Sequence, residues 1–84
     1  METARKTIHL LFFGATTEIV GTRHTRLEIG EDESLGSLLE SVKSMYPKLS
    51  EHKLLAAVNE EYAEPDRCLS PGDRVAIFTA VSGG

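Results

Sequence analysis

Eighty-four residues, 40% of them hydrophobic and 26% charged, suffice for one small folded domain and leave no room for a second core. Nine Lys and Arg against 13 Asp and Glu give a net charge of −4 with no basic stripe interleaved with aromatics, which argues against nucleic-acid binding. So short a chain is ill suited to an enclosed active site, and any chemistry is expected at an edge, a terminus or a partner's surface.

In chain order, Thr7 to Phe13 reads as a strand, with Ile8, Leu10 and Phe12 on one side and His9, Leu11 and Phe13 on the other. Gly14 breaks it. Ala15 to Val20 can make one or two helical turns ending at Gly21, a residue that readily takes the left-handed conformation. Arg23 to Ile29 then alternates, Thr25, Leu27 and Ile29 against His24, Arg26 and Glu28, as a half-buried strand does. Leu35, Leu38, Leu39, Val42, Met45 and Tyr46 form one apolar stripe at helical period, with Ser34 as N-cap and Pro47 as stop. After a polar stretch come a short apolar strand, Leu54 to Val58, an acidic loop with room for a minor strand, a Pro71-Gly72-Asp73 turn and a last strand, Arg74 to Thr79. A long helix laid across one face of a mixed sheet buries its stripe most economically, so the expected class is α+β, with a body over residues 1–80 and a flexible tail over 81–84.

The tail, Val81-Ser82-Gly83-Gly84, directly follows a strand. A diglycine has no side chain to limit its path and can thread a tunnel too narrow for any residue with a Cβ. What such a tail offers is its terminal carboxylate, an anion at neutral pH and a poor acyl donor until a partner holding ATP adenylates it. A sulfur donor attacking that anhydride leaves a thiocarboxylate, whereas a lysine leaves an isopeptide bond, and the tail alone does not choose between them. On the last strand Phe78 faces outward if Val75 and Ile77 meet the helix, and Leu11 and Phe13 do so by the same alternation. These would form an apolar docking patch beside the tail.

Other candidates carry less. His9, His24 and His52 fall on separate elements without metal-ligand spacing, so no metal site is expected. Cys68 stands alone beside Arg67 and reads as an incidental thiol. The acids at Glu31, Asp32 and Glu33, and at Glu60, Glu61, Glu64 and Asp66, read as solvated loops, with docking to a basic partner as the alternative. The apolar run Ile8 to Phe13 is too short for a signal peptide or membrane span, and a soluble cytoplasmic protein is the expectation.

Leu11-Phe12-Phe13, Val20-Gly21-Thr22, Leu54 to Asn59, Leu69 to Phe78 and the closing Val81-Ser82-Gly83-Gly84, in that order and spacing, resemble the small, sulfur-carrying subunits of molybdopterin synthase. The resemblance implies a ubiquitin-like β-grasp fold with no bound cofactor, ATP being used by a ubiquitin-activating-like adenylyltransferase that activates Gly84. The thiocarboxylate on Gly84 would then enter a pocket of the large subunit and give sulfur to cyclic pyranopterin monophosphate, within a heterotetramer. Val81, Ser82 and Gly83 match the inserted tail, and Phe13, Phe78 and, less closely, Tyr62 match the contact with the large subunit. Thr79-Ala80 stands where such proteins often carry Pro-Pro, which implies a softer exit for the tail. Carriers for thiazole synthesis or tRNA thiolation, ubiquitin-like protein modifiers and a plain interaction domain are the alternatives.

Overall fold

In the computed structural model, residues 5–79 are described. The alternating segment at the start forms strand β1 (Arg5–Phe12), which stops one residue short of Phe13. Gly14 comes next but one with φ 60 and ψ −133, a conformation that a side chain would strain, and turns the chain into the short helix α1 (Ala15–Val20). Gly21, at φ 90, closes α1 by donating its N–H to the Thr17 carbonyl at 2.8 Å. Strand β2 (His24–Gly30) returns beside β1, and helix α2 (Leu35–Met45) crosses the sheet. Ser34 caps α2 as its sequence position implies, its hydroxyl accepting from Ser37 N–H at 3.2 Å. Strands β3 (Leu54–Val58), β4 (Glu61–Tyr62) and β5 (Arg74–Thr79) complete one sheet in the order β2-β1-β5-β3-β4.

The pairing of β1 with β5 is parallel, Leu10 opposite Val75 and Phe12 opposite Ile77, while β1–β2, β3–β5 and β3–β4 are antiparallel. The sheet is therefore mixed, with its main helix on one face, as the element order implies. Ile8, Leu10 and Phe12 from β1, Val75 and Ile77 from β5, and Ala56 and Val58 from β3 pack with Leu35, Leu38 and Val42 of α2 into one buried core. Met45 departs from the expected stripe: it is 48% exposed at the last position of the helix, while Val42 three residues earlier is fully buried.

Two further core residues come from segments that read as loops. Pro47–Glu51 forms a 3₁₀ turn that buries Leu49 completely, with Pro at its first position, where the missing N–H costs no hydrogen bond. Leu69 is almost as deeply buried, because the acidic loop is pinned to the start of α2: Leu35 N–H donates to the Arg67 carbonyl and Gly36 N–H to the Pro65 carbonyl, both at 2.8 Å. These carbonyls satisfy first-turn donors that α2 cannot satisfy itself. A Cβ on Gly36 would lie 3.1 Å from the Pro65 side chain, so glycine permits the close approach.

The start of β5 is held by a polar clamp. The buried Asp73 carboxylate accepts from Asn59 Nδ2 at 3.0 Å and from Ser70 N–H at 2.8 Å, while Asn59 Oδ1 accepts from Arg74 N–H at 2.9 Å. Asn59 and Glu60 both have positive φ, 52 and 73, as a two-residue hairpin turn between β3 and β4 requires. Asp73→Ala strands two donors at once and is expected to cost about 2 kcal/mol in urea unfolding, at the scale of hydrogen bonds to a charged group. Asp73→Asn, which keeps one acceptor oxygen, is expected to cost less; equal stability of all three proteins would show that the clamp contributes nothing.

Candidate functional site

The face of the sheet opposite α2 is where the expected contact residues gather. Since Ile8, Leu10, Phe12, Val75 and Ile77 point into the core, His9 and Leu11 of β1 and Arg74, Ala76 and Phe78 of β5 point the other way. The register turns this alternation into rows. Leu11 stands opposite Ala76, Ala76 opposite Ala57, and Ala57 opposite Tyr62, so one apolar line crosses four strands. Phe78 stands opposite Leu55 in the adjacent line, and Phe13 lies one position beyond the Phe12–Ile77 pair, at the Phe78 level. The two alanines keep the middle low, and the aromatic rings rise around it.

Phe13 is 52% and Tyr62 80% exposed, so this face presents two large aromatic side chains to solvent. Phe78 is half-buried, and its ring meets Tyr62 edge-on with 6.0 Å between centroids. The three residues expected from sequence to form a contact surface thus share one face. Phe13 is also fixed by a residue that sequence reasoning passed over: buried Thr16. Its hydroxyl accepts from Phe13 N–H at 3.0 Å and lies 2.7 Å from the Phe13 carbonyl and 3.1 Å from that of Ile77, to which it can donate. Phe13 N–H also reaches the Ile77 carbonyl at 3.1 Å. The signal available in sequence was a threonine two residues after a strand-ending glycine, where a hydroxyl commonly satisfies the backbone of a turn.

The histidines, set apart in sequence, are partly brought together. His9 Nδ1 and His24 Nε2 are 3.1 Å apart, with ring planes within 16° and centroids 5.3 Å apart. One ring lends its N–H and the other its lone pair. The cause is the hairpin register: His9 stands opposite Arg26, which makes His24 its diagonal neighbour. His52 closes the 3₁₀ turn at the end of that segment and takes no part. Among the described residues no three His, Cys, Asp or Glu side chains are grouped as a metal site. Cys68 is exposed, with its backbone bridged to Ser34.

The described part of β5 ends at Thr79, opposite Leu54 and next to Phe78. Val81, Ser82, Gly83 and Gly84, with the boundary expected at residue 80, lie outside the described residues. No helix among the described residues is long and apolar enough to cross a membrane.

With this geometry in hand, likeness to known proteins is informative. The ThiS family matches residues 10–84. The molybdopterin synthase sulfur carrier subunit of Escherichia coli (strain K12) is 38% identical over 82 residues, covering 92% of this chain and 99% of that protein. Among solved structures, the small archaeal modifier protein 1 of Haloferax volcanii superposes with a TM-score of 0.80 at 22% identity, covering 90% of this chain and 99% of that one. A ubiquitin of Caldiarchaeum subterraneum gives 0.70 at 16% identity, covering 96% and 100%. The fold is the ubiquitin-like β-grasp.

Because Phe78 lends little to the core and Ile77 beside it is fully buried, the two should separate in a truncation pair. Phe78→Ala is expected to cost about 1 kcal/mol or less in urea unfolding, and Ile77→Ala about 2–5 kcal/mol. Equal losses would place Phe78 in the core instead of on a contact surface.

Proposed function

The chain belongs to the ThiS family, and on that premise we propose that it is the sulfur-carrier subunit of molybdopterin synthase, with the Gly84 carboxyl as its reactive group. The observation that carries this reading is an adjacency: Phe13, Phe78 and Tyr62 gather on the sheet face opposite α2, and β5, whose last described residue is Thr79, carries Phe78 on that face just before the expected tail. The family match running through Gly84, and 38% identity in an alignment that spans nearly the whole of the E. coli sulfur carrier, support it.

In this reading the body is a handle and the tail is the reagent. An adenylyltransferase of the ubiquitin-activating kind docks on the apolar face and receives the tail beside its ATP. A Gly84 carboxylate oxygen attacks the α-phosphorus, pyrophosphate leaves, and the mixed anhydride carries AMP as a good leaving group. Sulfur from a hydrosulfide-equivalent donor attacks the carbonyl carbon, a C–S bond replaces the C–O bond, and AMP departs. The large synthase subunit then accepts the same face, with Val81, Ser82 and Gly83 threaded into its pocket. There the thiocarboxylate sulfur attacks a side-chain carbon of cyclic pyranopterin monophosphate, and a C–S bond forms as an oxygen substituent leaves that carbon. Water at the acyl carbon then breaks the acyl C–S bond, leaving the sulfur on the pterin and restoring the Gly84 carboxylate. The isolated chain brings the reactive atom and no turnover of its own. A heterotetramer of paired small and large subunits is the assembly that goes with this role.

The test is intact mass spectrometry after expression beside an activating enzyme, ATP and a sulfur source. The expected product is heavier by the exchange of one oxygen for one sulfur, confined to the C-terminal peptide, and deletion of Gly84 abolishes it. An unchanged mass, or conjugates on lysines of other proteins in its place, would contradict the carrier role.

A further inference from the structure

The face that carries the apolar patch has a second chemistry. In the row next to Leu11 and Ala76, Arg26 of β2 stands opposite His9 of β1, and His9 opposite Arg74 of β5. With neighbouring strands about 4.8 Å apart, these three side chains span about 10 Å in a straight line. Arg26 is exposed, the Arg74 side chain is 60% exposed, and His24 joins the row through its 3.1 Å contact with His9. The apolar patch and this row meet at a depression of about 230 Å³ lined by Leu11, Phe13, Ala76, Arg74 and Glu60.

The row is unexpected on a chain of net charge −4. The acids of this face do not cancel it: Glu60, with an 86% exposed side chain, lies 3.9 Å from Arg74, a loose pair at the rim, and Glu28, with an interaction of its own, is one row further out on β2. Most of the remaining acids sit off the sheet, in the loops at Glu31–Glu33 and Glu64–Asp66 and along α2. Exposed pairs such as Arg74–Glu60 contribute little to folding, so stability does not account for two arginines and a histidine in register beside an apolar depression. A complementary charge on a docking partner does.

Resting on the proposed carrier role, we propose that the large subunit meets this face with a short row of carboxylates, Asp or Glu, paired with Arg26, His9 and Arg74, set beside the apolar pocket that takes Phe13 and Phe78. The two chemistries then divide the work. The aromatic patch, desolvated on docking, holds the complex together, and the basic row steers encounter and fixes the register in which the tail meets its pocket. A polyanionic nucleic acid fits less well: the row ends within about 10 Å, and a phosphate backbone continuing past it would meet Glu60 and Glu28.

The test measures association and dissociation of the full chain with its large subunit by stopped flow, using wild type, the pair Arg26→Glu and Arg74→Glu, the neutral pair Arg26→Gln and Arg74→Gln, and Phe78→Ala. The reversed pair is expected to associate about tenfold more slowly at low salt, with the neutral pair in between and dissociation within about twofold of wild type. The difference is expected to vanish near 1 M salt, where screening acts within about 3 Å. Phe78→Ala is expected to speed dissociation and leave association nearly unchanged. If all charge variants associate like wild type while Phe78→Ala still weakens the complex, the carboxylate row is wrong and the carrier role stands. If wild type does not bind the large subunit, both fall. Should the reversed pair lose thermal stability, the neutral pair decides on its own. Binding of a single-stranded RNA oligonucleotide that is lost in the same variants would overturn the protein-partner assignment.

Discussion

The parallel pairing of β1 with β5 is the constraint on which the rest depends. It joins segments more than sixty residues apart, with His9 opposite Arg74, Leu11 opposite Ala76 and Phe12 opposite Ile77. Because side chains alternate with period two, a slip of β1 by one residue against β5 would turn Ile8, Leu10 and Phe12 out to solvent and His9 and Leu11 into the core. The buried set fixes the register, and the register fixes the outer face. The Asp73–Asn59 clamp and the Thr16 hydroxyl act at the two ends of this pairing, one where β5 begins and one where β1 ends.

A domain of this size has little interior to spend on chemistry, and the β-grasp arrangement leaves its function outside the core. The helix covers one face of the sheet. The other carries the apolar line from Leu11 to Tyr62 and the basic row beside it, and β5 crosses both, with Arg74 in one and Ala76 in the other. In a carrier this division is useful, since the loading enzyme and the consuming enzyme can recognise the same rigid surface while the reacting group travels at the end of the chain.

Much of this was legible in the residues. The alternation in Thr7–Phe13 and Arg74–Thr79 and the stripe from Leu35 to Tyr46 identified the strands and the helix, because period two and period 3.6 are direct consequences of backbone geometry. Those periods also placed Phe13 and Phe78 on the outer face. Leu49 and Leu69 escaped because a 3₁₀ turn and a pinned loop have no period to read, and each contributes a single apolar residue among polar neighbours. The contact of His9 with His24, and the row Arg26–His9–Arg74, depend on which strands pair and in what register, information that no local pattern contains. Thr16 was missed for a related reason: its value lies in reaching the Ile77 carbonyl, sixty-one residues away.

If the chain is a sulfur carrier, its terminal sulfur must leave it for the pterin. A chain loaded with radioactive sulfur at its C-terminus, mixed with the large subunit and cyclic pyranopterin monophosphate, gives the most direct measurement. Label passing into the pterin product, in step with recovery of the unmodified carboxylate at Gly84, is the expected result. Label that stays on the chain, or is released as sulfide while Gly84 becomes joined to lysines of the large subunit, would contradict it.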